Sequence, residues 1–162
     1  MGVRFASLQW LFPFVIILHN LEEALWLPGW ANRTGFWRTP VSPRVFRFFV
    51  AALTALPLAV TWLSAKSGPQ TLWTYLMFGY MAAVLANAVY PHLALSISRR
   101  SYMPGTATAV VLNLPVLSFL VATALSERQV SGWKAGAYAA GVPAVLLLSL
   151  VLALKPGRLL NL

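Results

Sequence analysis

Cysteine is absent from this sequence, and acidic residues are scarce: three Asp or Glu stand against twelve Lys or Arg among 162 residues. Without cysteine the chain has no disulfide bonds, no thiolate metal ligands and no cysteine nucleophile. Charged residues make up only 9% of the chain and hydrophobic residues 59%, which is typical of a membrane protein. The cationic residues lie mostly in short connectors between apolar runs, so we interpret the net charge of +9 as a topology and lipid-headgroup signal and expect no nucleic acid partner.

Five apolar runs predict an all-α integral membrane bundle of about five transmembrane helices, folded as a single domain over residues 1–162. The predicted helices cover residues 8–27, 44–65, 71–97, 106–125 and 133–154. Residues 28–43 are predicted to form a loop in the membrane interface. Every predicted helix contains a proline, which should kink it and free a backbone carbonyl that needs another partner in a membrane. These prolines are Pro13, Pro57, Pro91, Pro115 and Pro143.

The distribution of lysine and arginine predicts how the bundle is oriented. With five spans, eight of these residues fall on one side of the membrane and four on the other. Because cytoplasmic loops carry the excess of positive charge, the richer side is predicted to be cytoplasmic. The amino terminus is then outside the cell and the carboxyl terminus is in the cytoplasm. Membrane lipids are the expected surroundings, and the oligomeric state is left open.

A polar group interrupts the first apolar run. His19, Glu22 and Glu23 are spaced i, i+3 and i+4, so their side chains share one face of a helix. Each acid costs roughly 2.5–3.5 kcal/mol at the bilayer centre, so this face should point to a polar interior site rather than to lipid. His92, the second of two histidines, lies a few residues before the Arg99-Arg100 turn, at a similar predicted depth.

Imidazoles and carboxylates in one buried layer favour a divalent metal, since both are ligands of zinc, iron or manganese, among which the sequence does not distinguish. We predict His19, Glu22, Glu23 and His92 as the ligands. Two alternatives stay open: the paired glutamates form an acid/base or proton-relay pair without metal, or the group is a polar network that only fixes helix packing.

Three further residues are predicted to contact substrate or to support the ligands. Asn87 and His92 are five residues apart and do not share a helical face, but a kink at Pro91 would turn both inward. Thr106 and Asn113 are seven apart and do share a face of the fourth helix. Asn113 alone is more often a hydrogen-bonding link between helices. Tyr102 is interpreted as an interface anchor rather than as an acid.

The function that these residues predict is an intramembrane, metal-dependent enzyme acting on a lipid or another apolar small molecule. In a hydrolytic version, both histidines and one glutamate bind the metal, and the metal activates a water molecule. The other glutamate is the base. An oxidative version uses both Glu22 and Glu23, the predicted catalytic residues, as bridging ligands. The alternatives are a proton- or cation-coupled carrier that uses the same glutamates, which the absence of an inverted repeat disfavours, and a non-catalytic membrane binding protein.

Several motifs occur together in a familiar order. They are His19-Asn20-Leu21-Glu22-Glu23 with Ala24-Leu25-Trp26-Leu27-Pro28, Asn87-Ala88 with His92-Leu93, Tyr102-Met103-Pro104-Gly105-Thr106, and Leu114-Pro115. Over residues 18–115 the sequence thus resembles the HXXEE-motif family of small bacterial membrane proteins, which is named for its motif and not for an activity. The resemblance implies a location in the bacterial cytoplasmic membrane. It also implies a site that contains His19, Glu22, Glu23, Asn87 and His92, but it implies no reaction.

Overall fold

The computed structural model describes residues 4–37 and 42–153, which form helices and no strand within those ranges. The helices are α1 (Arg4–Leu8), α2 (Leu11–Thr34), α3 (Pro43–Ser67), α4 (Leu72–Asn87), α5 (Ala94–Ser98), α6 (Thr106–Thr108), α7 (Leu114–Ser126) and α8 (Gly132–Ala153). Ala88–Leu93 joins α4 to α5, and Ala109–Asn113, with wide π-type hydrogen bonding, joins α6 to α7.

The predicted fold class, an all-helical bundle with membrane-crossing helices, is confirmed. Four continuous helical stretches of the described residues are long and apolar enough to cross a membrane. They are Phe5–Thr34, Pro43–Ser67, Leu72–Ser98 and Thr106–Ser126. The fifth predicted helix corresponds to α8, which has 22 residues.

The first span is longer than the sequence indicated. Pro28 and Gly29 were expected to begin a loop, but α2 passes through both and ends at Thr34, where Gly35 adopts a left-handed conformation with φ of 62°. The predicted loop is therefore wrong over residues 28–34. Residues 38–41 of that predicted loop lie outside the described part of the chain.

Side chains from neighbouring helices explain how prolines fit inside these spans. Pro28 cannot donate to the carbonyl of Ala24, and the guanidinium of Arg47 in α3 donates to that oxygen instead, at 3.1 Å. In the same way Pro57 leaves the carbonyl of Leu53 without its helical donor. The hydroxyl of Tyr80 in α4 donates to it at 2.9 Å. The expectation that a proline-freed carbonyl finds another partner is confirmed at Pro57. The same arrangement occurs at Pro28, which was expected to begin a loop.

Helix α4 lies at the centre of the helix packing. Helix α2 packs on α3, α3 packs on α4, and α4 also contacts α7 and α8. Gly79 allows the close approach of α8, because a Cβ atom there would lie 2.5 Å from the carbonyl oxygen of Tyr138. A separate apolar cluster of Leu27, Trp30 and Met103 fixes the far end of α2 against the turn between α5 and α6. That contact brings residues 102–108 beside the polar face of α2.

Candidate metal centre

The polar face of α2 points into the protein, as its cost in lipid requires. His19 and Glu22 are 4% and 7% exposed, and the side chain of Glu23 is 17% exposed. One helix therefore supplies an imidazole and two carboxylates to a buried layer, with the predicted i, i+3, i+4 spacing intact.

A break in the third span delivers His92 to the same layer. The helix stops being regular at Tyr90, whose backbone is extended with φ of −135° and ψ of 122°, directly before Pro91. His92 is fully buried after this break. Its ring lies edge-on to that of His19, with ring centroids 4.9 Å apart and an interplanar angle of 87°. The structure thus brings both histidines of the chain together.

His19, Glu23 and His92 form a group that could hold a metal ion. One ligand atom from each lies within 4.8 Å of the other two. The Oε1 atom of Glu23 is 3.1 Å from Nε2 of His92 and 3.8 Å from Nε2 of His19. Neither ring nitrogen of His92 makes a hydrogen bond of acceptable geometry, despite complete burial and the short contact with Glu23. A buried polar atom without a partner costs about 1–3 kcal/mol, which a coordinated ion would offset.

Glu22 is held outside this group by hydrogen bonds. Its Oε1 atom accepts from the Tyr102 hydroxyl and, at 2.7 Å, from the Gly105 amide. Its Oε2 atom accepts from the amide and the hydroxyl of Thr108, at 3.1 and 2.6 Å. Both oxygens are therefore occupied by protein donors. The predicted ligand set contained Glu22, whereas the group that could hold a metal ion is formed by His19, Glu23 and His92.

Thr108 links Glu22 to His19 and determines the form of the imidazole. The single hydroxyl proton of Thr108 is directed at Glu22, and its oxygen lies 3.0 Å from Nδ1 of His19. Nδ1 must then carry the proton of that second hydrogen bond, because the hydroxyl has already donated its own. The neutral imidazole keeps its lone pair on Nε2, the nitrogen nearer to Glu23.

Gly105 lacks a side chain where the side chains of His92 and Glu23 pack against its backbone. Its φ of 95° is a left-handed conformation that suits glycine. A Cβ atom at this position would lie 2.4 Å from Cε1 of His92 and 3.2 Å from Cγ of Glu23. The backbone therefore lies directly against two of the three side chains that could bind metal, and its amide donates to Glu22.

Tyr102 contributes a hydrogen-bond donor to Glu22 from the turn between α5 and α6. The pKa of Tyr102 is raised above its ordinary value, mainly by partial burial and to a smaller extent by the hydrogen bond to Glu22. The phenol therefore stays protonated at neutral pH and remains a donor to the carboxylate. The interpretation of Tyr102 as an interface anchor missed this hydrogen bond.

The three predicted supporting residues, Thr106, Asn113 and Asn87, differ in burial and in their contacts with the group. The Thr106 hydroxyl donates to the carbonyl of His92 at 3.3 Å and accepts a 2.8 Å hydrogen bond from Ser96, so it holds the backbone next to the group. Asn113 is fully buried, and neither atom of its amide has a hydrogen bond. The side chain of Asn87 is exposed, and the break at Tyr90 brings only His92 to the group.

Thr108 and the contacts of Gly105 were not predicted from the sequence. Thr108 lies two residues after Thr106 and so projects from a different side of the helix, without a spacing that singles it out. The Pro104-Gly105 pair indicates a turn, but its contacts with His92 and Glu23 join residues far apart in sequence.

Comparison with known proteins identifies relatives without an assigned activity. The family model described as a protein of unknown function with HXXEE motif matches residues 10–120. The uncharacterized protein YrkK of Bacillus subtilis (strain 168) is 31% identical over 140 residues, which cover 86% of this chain and 88% of the relative. No solved structure matches the chain.

Proposed function

The chain belongs to the HXXEE-motif family, and we propose that it is a metal-dependent membrane enzyme that acts on a lipid or another apolar small molecule. The observation that carries the proposal is the convergence of His19, Glu23 and His92 within 4.8 Å, with both ring nitrogens of His92 lacking hydrogen bonds. We further propose the cytoplasmic membrane location and the orientation that the lysine and arginine distribution predicts.

Three ligands of the types imidazole, imidazole and carboxylate match catalytic rather than structural metal sites, which keep a position open for water or substrate. Zinc, iron and manganese all accept this set. A metal bound here would lower the pKa of a coordinated water or polarise a carbonyl or phosphoryl oxygen, and hydrolysis is the chemistry that we favour. Three ligands suit one ion better than two.

Glu22 has a positioning role in this proposal instead of a ligand or base role. Four hydrogen bonds satisfy its carboxylate, so it has little capacity left to take a proton from water. Through Thr108 it fixes the proton of His19 on Nδ1, and it aligns the Gly105 backbone beside His92. Residues behind the ligands commonly orient metal-binding histidines in this way.

Metal content tests the proposal directly. Detergent-purified wild type should contain about one transition metal ion per chain by elemental mass spectrometry, since the described residues form one such group of ligands. Glu23→Gln and His92→Ala should lose it, while Asn87→Ala, whose side chain is exposed away from the group, should retain it. Size-exclusion profiles would verify that each variant is folded. Metal-free wild type, after purification without chelator and reloading with zinc, iron and manganese, would refute the site.

Thr108→Val should weaken metal binding without removing a ligand. The substitution keeps the side-chain shape but deletes the hydroxyl between Glu22 and His19. Loss of such an orienting contact typically reduces metal affinity about 10–100-fold, which competition with a fluorescent chelator would measure. Thr123→Val is the matched control, since its hydroxyl donates to the Phe119 carbonyl one turn back in the same helix. Equal affinities of the two variants would contradict the proposed role of Thr108.

A further inference from the structure

A cleft opens beside the candidate metal centre. It has a volume of about 470 Å³ and lies between α2 and the turn that precedes α6. Its lining residues are Leu25, Trp26, Gly29, Trp30, Arg33, Tyr102 and Pro104. Leu25 and Trp26 are 52% and 57% exposed, so large apolar surfaces face outward along one wall.

The cleft runs along one face of α2 and is lined by Arg33 and by Tyr102. Glu22, Trp26, Gly29 and Arg33 follow one another at i, i+4, i+7 and i+11, which is a single stripe along α2. At 1.5 Å per residue, Arg33 lies about 16 Å along the helix from Glu22. Tyr102 also lines the cleft, and its hydroxyl donates a hydrogen bond to Glu22.

No side-chain carboxylate neutralises Arg33 within the described residues. The three acids of the chain are engaged elsewhere: Glu22 with the turn, Glu23 with the histidines, and Glu127 with the amide of Phe5. Arg99 at the same end of the bundle lies over the ring of Phe36, with its guanidinium carbon 5.4 Å from the centroid. An unpaired guanidinium at the mouth of an apolar cleft is complementary to an anion attached to an apolar chain.

We propose that this cleft binds an anionic phospholipid, with its phosphate on Arg33 and its apolar portion along Leu25, Trp26 and Trp30 toward Tyr102. This inference rests on the proposed function, to which it adds the substrate class. Membrane lipid is the source of the ligand because both tryptophans and the leucine lie on a helix long and apolar enough to cross a bilayer. Gly29 keeps the middle of the cleft open.

Native mass spectrometry of the protein in micelles tests the inference. The micelles would contain equal amounts of dioleoyl phosphatidic acid and dioleoyl phosphatidylcholine. Wild type should retain one phosphatidic acid in preference to phosphatidylcholine. Arg33→Gln should reduce that retention about tenfold, since it removes a charge-assisted phosphate contact. Gly29→Leu should also reduce it, by filling the cleft; the glycine has no left-handed φ, and a Cβ atom there meets only Arg33 Nη1, at 3.6 Å.

Two controls match these variants. Arg44→Gln removes an exposed charge at the same end of the bundle, and Gly141→Leu fills the apolar groove between α3, α4 and α8. Both should bind phosphatidic acid like wild type. Equal loss in Arg44→Gln, or unchanged retention in Arg33→Gln, would overturn the inference. Displacement of the lipid by millimolar inorganic phosphate would also overturn it, in favour of a soluble anion site.

A further variant separates this inference from the proposed metal site. His92→Ala removes a ligand but does not line the cleft, so it should retain phosphatidic acid while it loses metal. Metal-free wild type that still prefers phosphatidic acid would refute the metal site alone. Metal-loaded wild type without lipid preference would refute the cleft alone.

Discussion

Alanine at Gly105 is expected to destabilise the protein and to prevent metal binding. The new Cβ atom would lie 2.4 Å from His92 Cε1 and 2.8 Å from Nδ1, so the ring must shift from its position beside Glu23. The left-handed backbone adds a cost of about 1–2 kcal/mol for a residue with a side chain, and overpacking adds about 1–3 kcal/mol. The midpoint of thermal unfolding in detergent should fall, by about 2–4 °C per kcal/mol for a chain of this size. Metal content should fall with it.

Gly35→Ala is the matched control for this substitution. Gly35 also has a left-handed backbone, with φ of 62°, but nothing lies within 4 Å of a Cβ atom there. It should show only the backbone cost of about 1–2 kcal/mol and keep its metal. If Gly105→Ala unfolds at the same temperature as Gly35→Ala and binds metal normally, then the close packing of the turn on His92 is not needed for the site.

Glu22→Gln should destabilise the fold much more than it disturbs the metal ligands themselves. The carboxylate accepts four hydrogen bonds, two at each oxygen, whereas a glutamine amide nitrogen accepts none. Whichever way the amide turns, two donors from Tyr102, Gly105 or Thr108 lose their acceptor. At about 1–3 kcal/mol for each unsatisfied donor, the free energy of unfolding should fall by about 2–6 kcal/mol, as chemical denaturation in micelles would measure.

Two further glutamate-to-glutamine substitutions serve as controls for Glu22→Gln. Glu127 accepts one hydrogen bond, from the amide of Phe5, and an amide oxygen can replace that acceptor, so Glu127→Gln should change stability by less than about 1 kcal/mol. Glu23→Gln should lose metal but remain nearly as stable as metal-free wild type, which lacks the stabilisation that a bound ion supplies. The reverse pattern, with metal lost only in Glu22→Gln and stability lost only in Glu23→Gln, would show that the two glutamates have exchanged the proposed roles.

The helical positions were predicted well because hydrophobic length depends on local sequence. The second span was predicted at 44–65 and occurs at Pro43–Ser67, and the fourth was predicted at 106–125 and occurs at Thr106–Ser126. The error at Pro28 arose because proline normally ends a helix unless another group satisfies the freed carbonyl. Arg47 supplies that group from a different helix, which local sequence does not reveal.

The sequence by itself determined that His19, Glu22 and Glu23 share one helical face, because the i, i+3 and i+4 spacing requires it in any helix. The sequence also predicted that His92 lies at a depth similar to that of this face, because the position of a residue along an apolar span sets its depth in the membrane. Only the tertiary structure decided that the two glutamates have different partners. The turn at residues 102–108 donates four hydrogen bonds to Glu22, whereas Glu23 faces both histidines. Those donors lie about 80 residues away in sequence, and packing of α2 against the turn brings them into contact.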